Sequence, residues 1–409
     1  MDNHMDVLLQ HLKDPDPDTR RQGISELERV AVGAGRQDAI RQLIPLLGDP
    51  EVPVRDAAEN ALLSFGGRDV VSELVPRLSD PSTTIVNYTV EILSKIGDAA
   101  IENILPLLES RDHDIRKFGC DILGNLRYAD SLYELIDLLN DPHVNVAIAA
   151  GEALGKIGNA EAVPYLIQAL RHPDTWMKCI ATEALGKIGD QRAVDPFIGL
   201  SMYEDPIVLY TVIKAMGNFQ DQRVLPYILT ILHSNPVFAP SAAQAIESLV
   251  NIQGEHIYQE VKTVGVGEHF LRLLSHDNKD ILRSAVTIVG HLHMAEAVEP
   301  LKTLLFHMLE QQADENLRRD VVTAFGMTVR ESPQLQELHG ESVVERLSET
   351  IQHKDRTLQM AAIDTLCTMV PYLASVSKAV PMLQELMATT TDEGLRASLH
   401  KALPLLEAR

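Results

Sequence analysis

Residues 135–158 have the sequence LIDLLNDPHVNVAIAAGEALGKIG, and this stretch decides the fold. It contains an apolar run, then Asp-Pro, then a second apolar run that ends in glycine. The same pattern recurs, with a close variant of Asp-Pro in one case, as LIPLLGDPEVPVRDAAENALLSFG at 43–66, LVPRLSDPSTTIVNYTVEILSKIG at 74–97 and LIQALRHPDTWMKCIATEALGKIG at 166–189. Recurrence at a fixed period indicates a repeat architecture.

One position in the second apolar run makes the period countable. It is occupied in turn by Asn60, Glu91, Asp121, Glu152, Glu183, Lys214 and Gln244. The steps between these residues are 31, 30, 31, 31, 31 and 30. After residue 250 the steps lengthen, and the same position falls at Thr287, Thr323, Asp364 and Lys401. The whole chain is therefore expected to hold about twelve units.

Each unit is predicted to be a pair of antiparallel helices. In the second run of 135–158, apolar residues recur at helical spacing at Val146, Ala149, Ala150, Ala153, Leu154 and Ile157. Asp-Pro separates the two helices because the residue before proline is disfavoured in the helical conformation. Gly158 supplies a left-handed end to the second helix. One pair cannot bury its apolar stripe alone, so we predict an all-α fold, a right-handed α-solenoid of stacked pairs.

The segments EALGKIGN (152–159) and EALGKIGD (183–190) carry a family resemblance. Together with the preceding Asp-Pro or its variant, they resemble HEAT repeats, in particular the bacterial subgroup also found in phycobilisome lyases. The resemblance covers nearly the whole chain and implies that the second helices line a concave surface.

Three of the first helices resemble the kinked first helix of HEAT units. Proline lies inside three consecutive first helices, at Pro45, Pro76 and Pro106, where it would produce such a kink. In later units proline lies at the helix start, at Pro164, Pro196 and Pro226, which predicts straighter helices.

The repeat pattern divides the chain into three parts. Residues 1–250 form a regular array of about eight units. Residues 251–267 exceed the period and are interpreted as an insertion or seam, either an extra helix or a projecting loop. Residues 268–409 are predicted to contain divergent repeats and a C-terminal cap.

Composition restricts the classes of partner and compartment. The 409 residues carry a formal charge of −22 and a pI near 5.0, which opposes nucleic acid or an anionic membrane surface as the main partner. The chain has three cysteines and no CxxC pair, which does not indicate a disulfide framework. It has no apolar segment long enough for a membrane-inserted helix. Its N-terminus is acidic, which does not indicate a signal peptide. We therefore expect a cytoplasmic protein without membrane insertion. The oligomeric state is not determined by the sequence.

The first candidate site is an acidic column formed by Glu91, Asp121, Glu152 and Glu183 on four consecutive second helices. By the resemblance these carboxylates would line the concave surface. Left unpaired, they would attract a basic segment of a partner. The alternative is that they are solvated positions of the repeat, paired for example with Lys156 or Lys187 four residues later.

The second candidate is a patch formed by Trp176, Cys179 and Tyr210. On the repeat template Cys179 and Tyr210 fall at one exposed position, and Trp176, the only tryptophan, lies one turn before Cys179. Exposed aromatic residues are enriched at the energetic centres of interfaces. The alternative is that Trp176 packs between units.

The sequence predicts no catalytic, cofactor-binding or metal-ligating residues. His291 and His293 are two residues apart and would diverge on a helix, which favours structural roles. HEAT-like di-iron hydroxylases use His-Glu dipeptides, and the chain has none. Cys179 has no histidine at helical spacing to act as a base, and the sequence has neither GxSxG nor a phosphate-binding glycine loop.

The sequence therefore favours a non-enzymatic scaffold or adaptor. It would bind a basic or amphipathic segment of a partner protein on its concave, acidic surface. The alternative is a bilin lyase-like or chaperone-like factor that acts on a cofactor-bearing protein and needs a small-molecule pocket, which we would expect near residues 251–267.

Overall fold

The computed structural model describes residues 8–31, 35–200, 205–310, 314–330, 340–352, 355–371 and 374–408. Every regular element within these ranges is a helix, and none is a strand, which confirms the all-α class. In the same ranges, no helix combines the length and the apolar character needed to cross a membrane.

The helices alternate between the two members of each predicted pair. The first helices are Gly35–Leu43, Gly67–Leu74, Ile101–Ile104, Leu132–Leu138, Val163–Ala169, Val194–Leu200, Val224–Ser234, Gly267–Leu271, Val298–Glu310, Gly340–Ile351 and Val380–Thr389. The second helices are Pro17–Val30, Val52–Phe65, Thr83–Ile96, His113–Leu126, Val144–Ile157, Thr175–Ile188, Pro206–Met216, Ala239–Gln253, Lys279–Leu292, Glu315–Arg330, Arg356–Met369 and Glu393–Glu407. One further helix, His256–Val264, lies between two pairs.

The chain forms two compact units. The first contains residues 1–196 and 203–208, and the second contains 197–202 and 209–409. In the first unit each second helix from Pro17–Val30 to Thr175–Ile188 packs against the next one. In the second unit the same holds from Ala239–Gln253 to Glu393–Glu407. Consecutive pairs thus share one apolar core within each unit, as the predicted α-solenoid requires.

Glycine allows second helices to approach closely. A Cβ added to Gly124 would lie 2.7 Å from the Cα of Ala153, and one added to Gly155 would lie 2.9 Å from the Cα of Ala184. In the second unit Gly290 has the same relation to Ala324, at 2.8 Å. Gly155 of the EALGKIGN segment is therefore a packing residue that faces the following repeat.

The prolines inside the early first helices change the type of helix. The α-helices Gly35–Leu43, Gly67–Leu74 and Ile101–Ile104 each continue directly into a 3₁₀ segment, at Ile44–Gly48, Val75–Ser79 and Leu105–Glu109. Pro45, Pro76 and Pro106 lie at the start of these segments. Proline cannot donate the main-chain hydrogen bond of an α-helix, so the helix tightens there. Pro164, by contrast, lies in the first turn of Val163–Ala169.

Two of the Asp-Pro aspartates, Asp49 and Asp141, also bind the preceding repeat. Arg20 donates from Nε and Nη2 to the two carboxylate oxygens of Asp49, at 2.9 and 2.8 Å, and both side chains are buried. Arg116 makes the same bidentate contact with Asp141, at 2.7 and 2.8 Å. Burial opposes ionisation of Asp141, but hydrogen bonds from Arg116 and from the N–H of His143 outweigh it and lower the pKa of this carboxyl.

The stretch 251–267 contains an extra helix, which was one of the two expected outcomes. His256–Val264 buries Ile257, Tyr258 and Val261 and ends at Gly265 in the left-handed conformation. Tyr258 stacks on His291 of the second helix Lys279–Leu292, with ring centroids 4.2 Å apart. That this stretch separates a regular array from a C-terminal cap stays a prediction.

Candidate partner-binding surface

The helix Thr175–Ile188 presents one solvent-facing stripe in the first unit. Asp174 caps the helix by accepting the N–H of Met177, and this places Trp176 in the first turn. Trp176, Ile180, Glu183 and Lys187 follow at steps of four, three and four residues. Trp176 is 64% exposed, Glu183 and Lys187 are exposed, and Ile180 is half-buried. An indole on the surface is thus aligned with a carboxylate two turns away.

Side chains one repeat apart touch across neighbouring second helices. Asn125 donates from Nδ2 to Oγ of Ser94 at 3.2 Å, and Lys156 donates from Nζ to Oδ1 of Asn125 at 2.8 Å. The acidic column lies about one turn earlier on the same helices. Glu91, Asp121 and Glu152 therefore occupy equivalent positions on one face of the first unit, and Glu183 holds the same repeat position on the next second helix. We call this face, on the second helices from Thr83–Ile96 to Thr175–Ile188, the second-helix face.

Two members of the acidic column already have cationic partners. Glu91 accepts from Nζ of Lys95 at 2.6 Å, and the same ammonium donates to Glu59 at 2.7 Å. These hydrogen bonds, that of Glu59 foremost, raise the pKa of Lys95. Asp121 accepts from Nζ of Lys117 at 2.7 Å. The paired interpretation therefore describes the first half of the column, although with a different lysine set from the one expected.

The other two members, Glu152 and Glu183, differ from the first two. Among the described residues neither has an ion pair or a side-chain hydrogen bond. Lys156, the expected partner of Glu152, donates to Asn125 instead. Glu183 is exposed and Glu152 is half-buried. Within the acidic column, the carboxylates available to a partner thus lie on the helices Val144–Ile157 and Thr175–Ile188.

The exposure predicted for Cys179 is wrong. Its side chain is only 4% exposed, because the solvent-facing stripe passes through Trp176, Ile180 and Glu183. Cys179 lies about 60° from that stripe around the helix, on a buried flank. The repeat template placed Cys179 correctly along the helix but did not predict which side of the helix its side chain faces. Tyr210, in the second unit, is 36% exposed.

The other cysteines are poor nucleophiles. Burial raises the pKa of Cys120 to about 12 and that of Cys367 to about 11. Thiolate is the reactive form, so both thiols are suppressed near neutral pH.

The histidine pair makes structural hydrogen bonds. His293 ends the helix Lys279–Leu292 in the left-handed conformation, and its Nδ1 contacts the carbonyl of Met327 at 2.8 Å. Nδ1 of His291 contacts the carbonyl of Thr287 at 2.9 Å. Within the described ranges, the one cluster with metal-ligand spacing is Asp112, His113 and Asp114. These residues lie at an exposed helix start where Asp112 caps the helix, so they indicate no metal site.

The stacked helix pairs, the Asp-Pro turns and the second-helix face define the chain as an α-solenoid of repeats. The family model for HEAT repeats matches residues 5–94, 101–178 and 163–249, which together are more than half of the chain. The chain belongs to the HEAT-repeat family. No curated protein is significantly similar to it in sequence.

Solved structures of importin-beta share the fold. Yeast importin-beta (Kap95p) is 14% identical with a TM-score of 0.60, and the match covers 98% of this chain and 62% of that one. Kap95p in a structure that describes its binding to RanGDP is 13% identical with a TM-score of 0.58, and the match covers 98% of this chain and 62% of that one. Importin-beta in an ammonium sulfate condition is 12% identical with a TM-score of 0.52, and the match covers 99% of this chain and 62% of that one. At these identities the likeness shows the α-solenoid alone, and the chain spans about 62% of the length of these proteins.

Proposed function

We propose that the protein is a non-enzymatic interaction scaffold that binds a basic or amphipathic segment of a partner protein. The binding region would be the part of the second-helix face on Val144–Ile157 and Thr175–Ile188. The observation that supports this most directly is the exposed Trp176 on one stripe with Glu183, a carboxylate without an ion pair among the described residues. Tryptophan is enriched at the energetic centres of interfaces, and a carboxylate on the same stripe would attract a basic segment.

The proposed region is narrower than the one expected from the sequence. Glu91 and Asp121 are engaged by Lys95 and Lys117, so the face carries both signs of charge rather than a continuous ladder of carboxylates. Steering of a basic segment would then come from Glu152 and Glu183. Affinity would come mainly from burial of the Trp176 ring, since exposed ion pairs contribute little.

A capture experiment with matched variants tests this proposal. The immobilised chain is incubated with lysate, and bound proteins are quantified by mass spectrometry for wild type and for Trp176→Ala combined with Glu183→Lys. We expect the same specific proteins to fall by about tenfold or more in the variant. Raised salt should weaken wild-type capture only in part, because it screens the charges and not the burial of Trp176.

The matched control is Tyr165→Ala combined with Glu134→Lys. It removes an aromatic ring and reverses one charge on the first helices, at positions that are also exposed. Capture should survive this change. If the control and the test variant lose the same proteins equally, or if neither loses any, the second-helix face is not the binding region.

One observation favours the alternative, a bilin lyase-like or chaperone-like factor. A cavity of 760 Å³ in the second unit lies just after residues 251–267 and is walled by Leu271, Leu274, Leu282 and Leu304. Its size and apolar wall are typical of a small-molecule pocket. Titration with biliverdin tests this: a shifted absorbance that Leu274→Asp abolishes would support the alternative, and an unchanged spectrum would contradict it.

A further inference from the structure

A second, smaller cavity in the second unit has a distinct chemistry. It has a volume of 390 Å³ and lies among the helices Lys279–Leu292, Glu315–Arg330 and Arg356–Met369, with Glu255 at its edge. Its polar side chains are Glu255, His291, His293, Thr323, Asp364, Thr365 and Thr368. Among the described residues that line it, none is lysine or arginine.

Each threonine hydroxyl that lines the cavity donates a hydrogen bond to a main-chain carbonyl oxygen. Thr323 donates to the carbonyl of Arg319 at 3.0 Å, a bond within its own helix. Thr365 donates to the carbonyl of Val322 on the neighbouring helix at 3.0 Å. Thr368 donates to the carbonyl of Thr365 at 2.6 Å. What these hydroxyls still offer to the cavity is therefore the acceptor capacity of their oxygens.

The imidazoles are oriented in the same way. Nδ1 of His291 and Nδ1 of His293 each face a carbonyl oxygen, which can only accept, so in the neutral rings Nδ1 carries the proton. Nε2 of His291 is then an acceptor. The stacked ring of Tyr258 helps to fix the orientation of His291.

Two carboxylates complete the lining. Glu255 lies at the edge, and both Glu255 and Asp364 are exposed residues. Partial desolvation raises the pKa of Asp364, against the smaller opposing influence of Lys401. The ionised form of Asp364 is thus incompletely compensated in the chain itself, and a cation placed beside it would be stabilised.

We propose that this cavity binds a cationic hydrogen-bond donor, a primary ammonium or guanidinium group carried on a short alkyl chain. The donor groups would satisfy the threonine oxygens and Nε2 of His291, while Glu255 and Asp364 would neutralise the charge. The volume is at the lower end of the range for small-molecule sites, which suits a ligand the size of agmatine. This site is independent of the second-helix face of the first unit.

Calorimetric titration of the full chain with agmatine tests the proposal. We expect saturable binding with one site per chain, and no binding of N-butylurea, in which a neutral urea replaces the guanidinium and the ammonium is absent. Asp364→Asn and Glu255→Gln should each weaken agmatine binding by about tenfold or more, because each removes a charge-assisted hydrogen bond. Glu385→Gln, which neutralises an exposed carboxylate of the same unit, should leave it unchanged.

The melting temperature of the Asp364→Asn variant distinguishes a loss of binding from unfolding of the variant. Because burial raises the pKa of Asp364, its ionised form costs stability, and Asp364→Asn should melt at the same temperature or higher at pH 7. A blocked Gly-Arg-Gly peptide distinguishes the source of the cation: tighter binding than agmatine assigns the site to an arginine of a protein, and weaker binding assigns it to a free amine. Absence of binding by both, or equal binding of N-butylurea, overturns the proposal.

Discussion

At the scale of single residues, Asp49 and Asp141 each do two things. Before Pro50 and Pro142 they separate the helices of a pair, which the sequence predicts. They also accept bidentate hydrogen bonds from arginines of the preceding repeat, which the sequence did not reveal. The pairing depends on how successive repeats pack. A usable signal was the recurrence of arginine in the first turn of second helices, at Arg20 and Arg116.

Breaking the buried pair should be costly. Asp49→Ala leaves the guanidinium of Arg20 buried without its carboxylate, so we expect a loss of about 3–5 kcal/mol in the free energy of unfolding. Asp18→Ala, which removes the exposed partner of Arg21, should cost less than about 1 kcal/mol. Urea unfolding followed by circular dichroism measures both. Similar losses for the two variants would show that the buried pair has no special role.

The lowered pKa of Asp141 predicts a specific pH dependence. A carboxyl with a depressed pKa in the folded state contributes stability above its unfolded pKa and loses it as pH falls through the folded value. The difference in melting temperature between wild type and Asp141→Asn should therefore be largest near neutral pH and shrink in acid. Thermal melts at several pH values test this, and a difference that does not change with pH would contradict it.

At the scale of helices, the sequence predicted the ends of helices well and the directions of individual side chains less well. The end of Val144–Ile157 at Gly158 in the left-handed conformation follows from the pattern. So does the break at Pro45, although the structure resolves it as a passage from α to 3₁₀ helix. The direction of Cys179 did not follow, because a rotation of about 60° around the helix axis separates an exposed position from a buried one.

The contact between adjacent second helices makes Gly155 sensitive to a single methyl group. Glycine to alanine inside a helix ordinarily stabilises it by up to about 1 kcal/mol. At Gly155 the added Cβ would lie 2.9 Å from the Cα of Ala184, so we expect a net loss of about 1–3 kcal/mol.

Gly199→Ala is the matched control for this prediction. Gly199 also lies in a helix, Val194–Leu200, but an added Cβ there meets no atom of the described residues within 4 Å. This substitution should be neutral or stabilising in the same urea experiment. If Gly155→Ala stabilises as much as Gly199→Ala, the close approach of the helices is not as described.

At the scale of the whole molecule, repetition explains why the architecture was predictable and the site was not. Each repeat must bury the same stripe, so the period alone predicts the stack of helix pairs. Function depends instead on where repeats differ. The pairing of Glu91 with Lys95 lies within one helix at a spacing of four residues, which a sequence does contain. That Lys156 donates to Asn125 of the neighbouring helix instead of to Glu152 depends on side-chain geometry across helices, which a column of carboxylates in a sequence does not contain.

The central claim is that a partner protein lies on the second-helix face of the first unit. Site-specific photo-cross-linking in cells tests this claim most directly. A photoreactive amino acid replaces Lys187, which is exposed on the same stripe as Trp176, in one variant and the exposed Tyr133 of a first helix in another. We predict that the probe at Lys187 cross-links one dominant protein and that the probe at Tyr133 does not. Equal cross-linking of that protein from both positions, or from Tyr133 alone, would contradict the account.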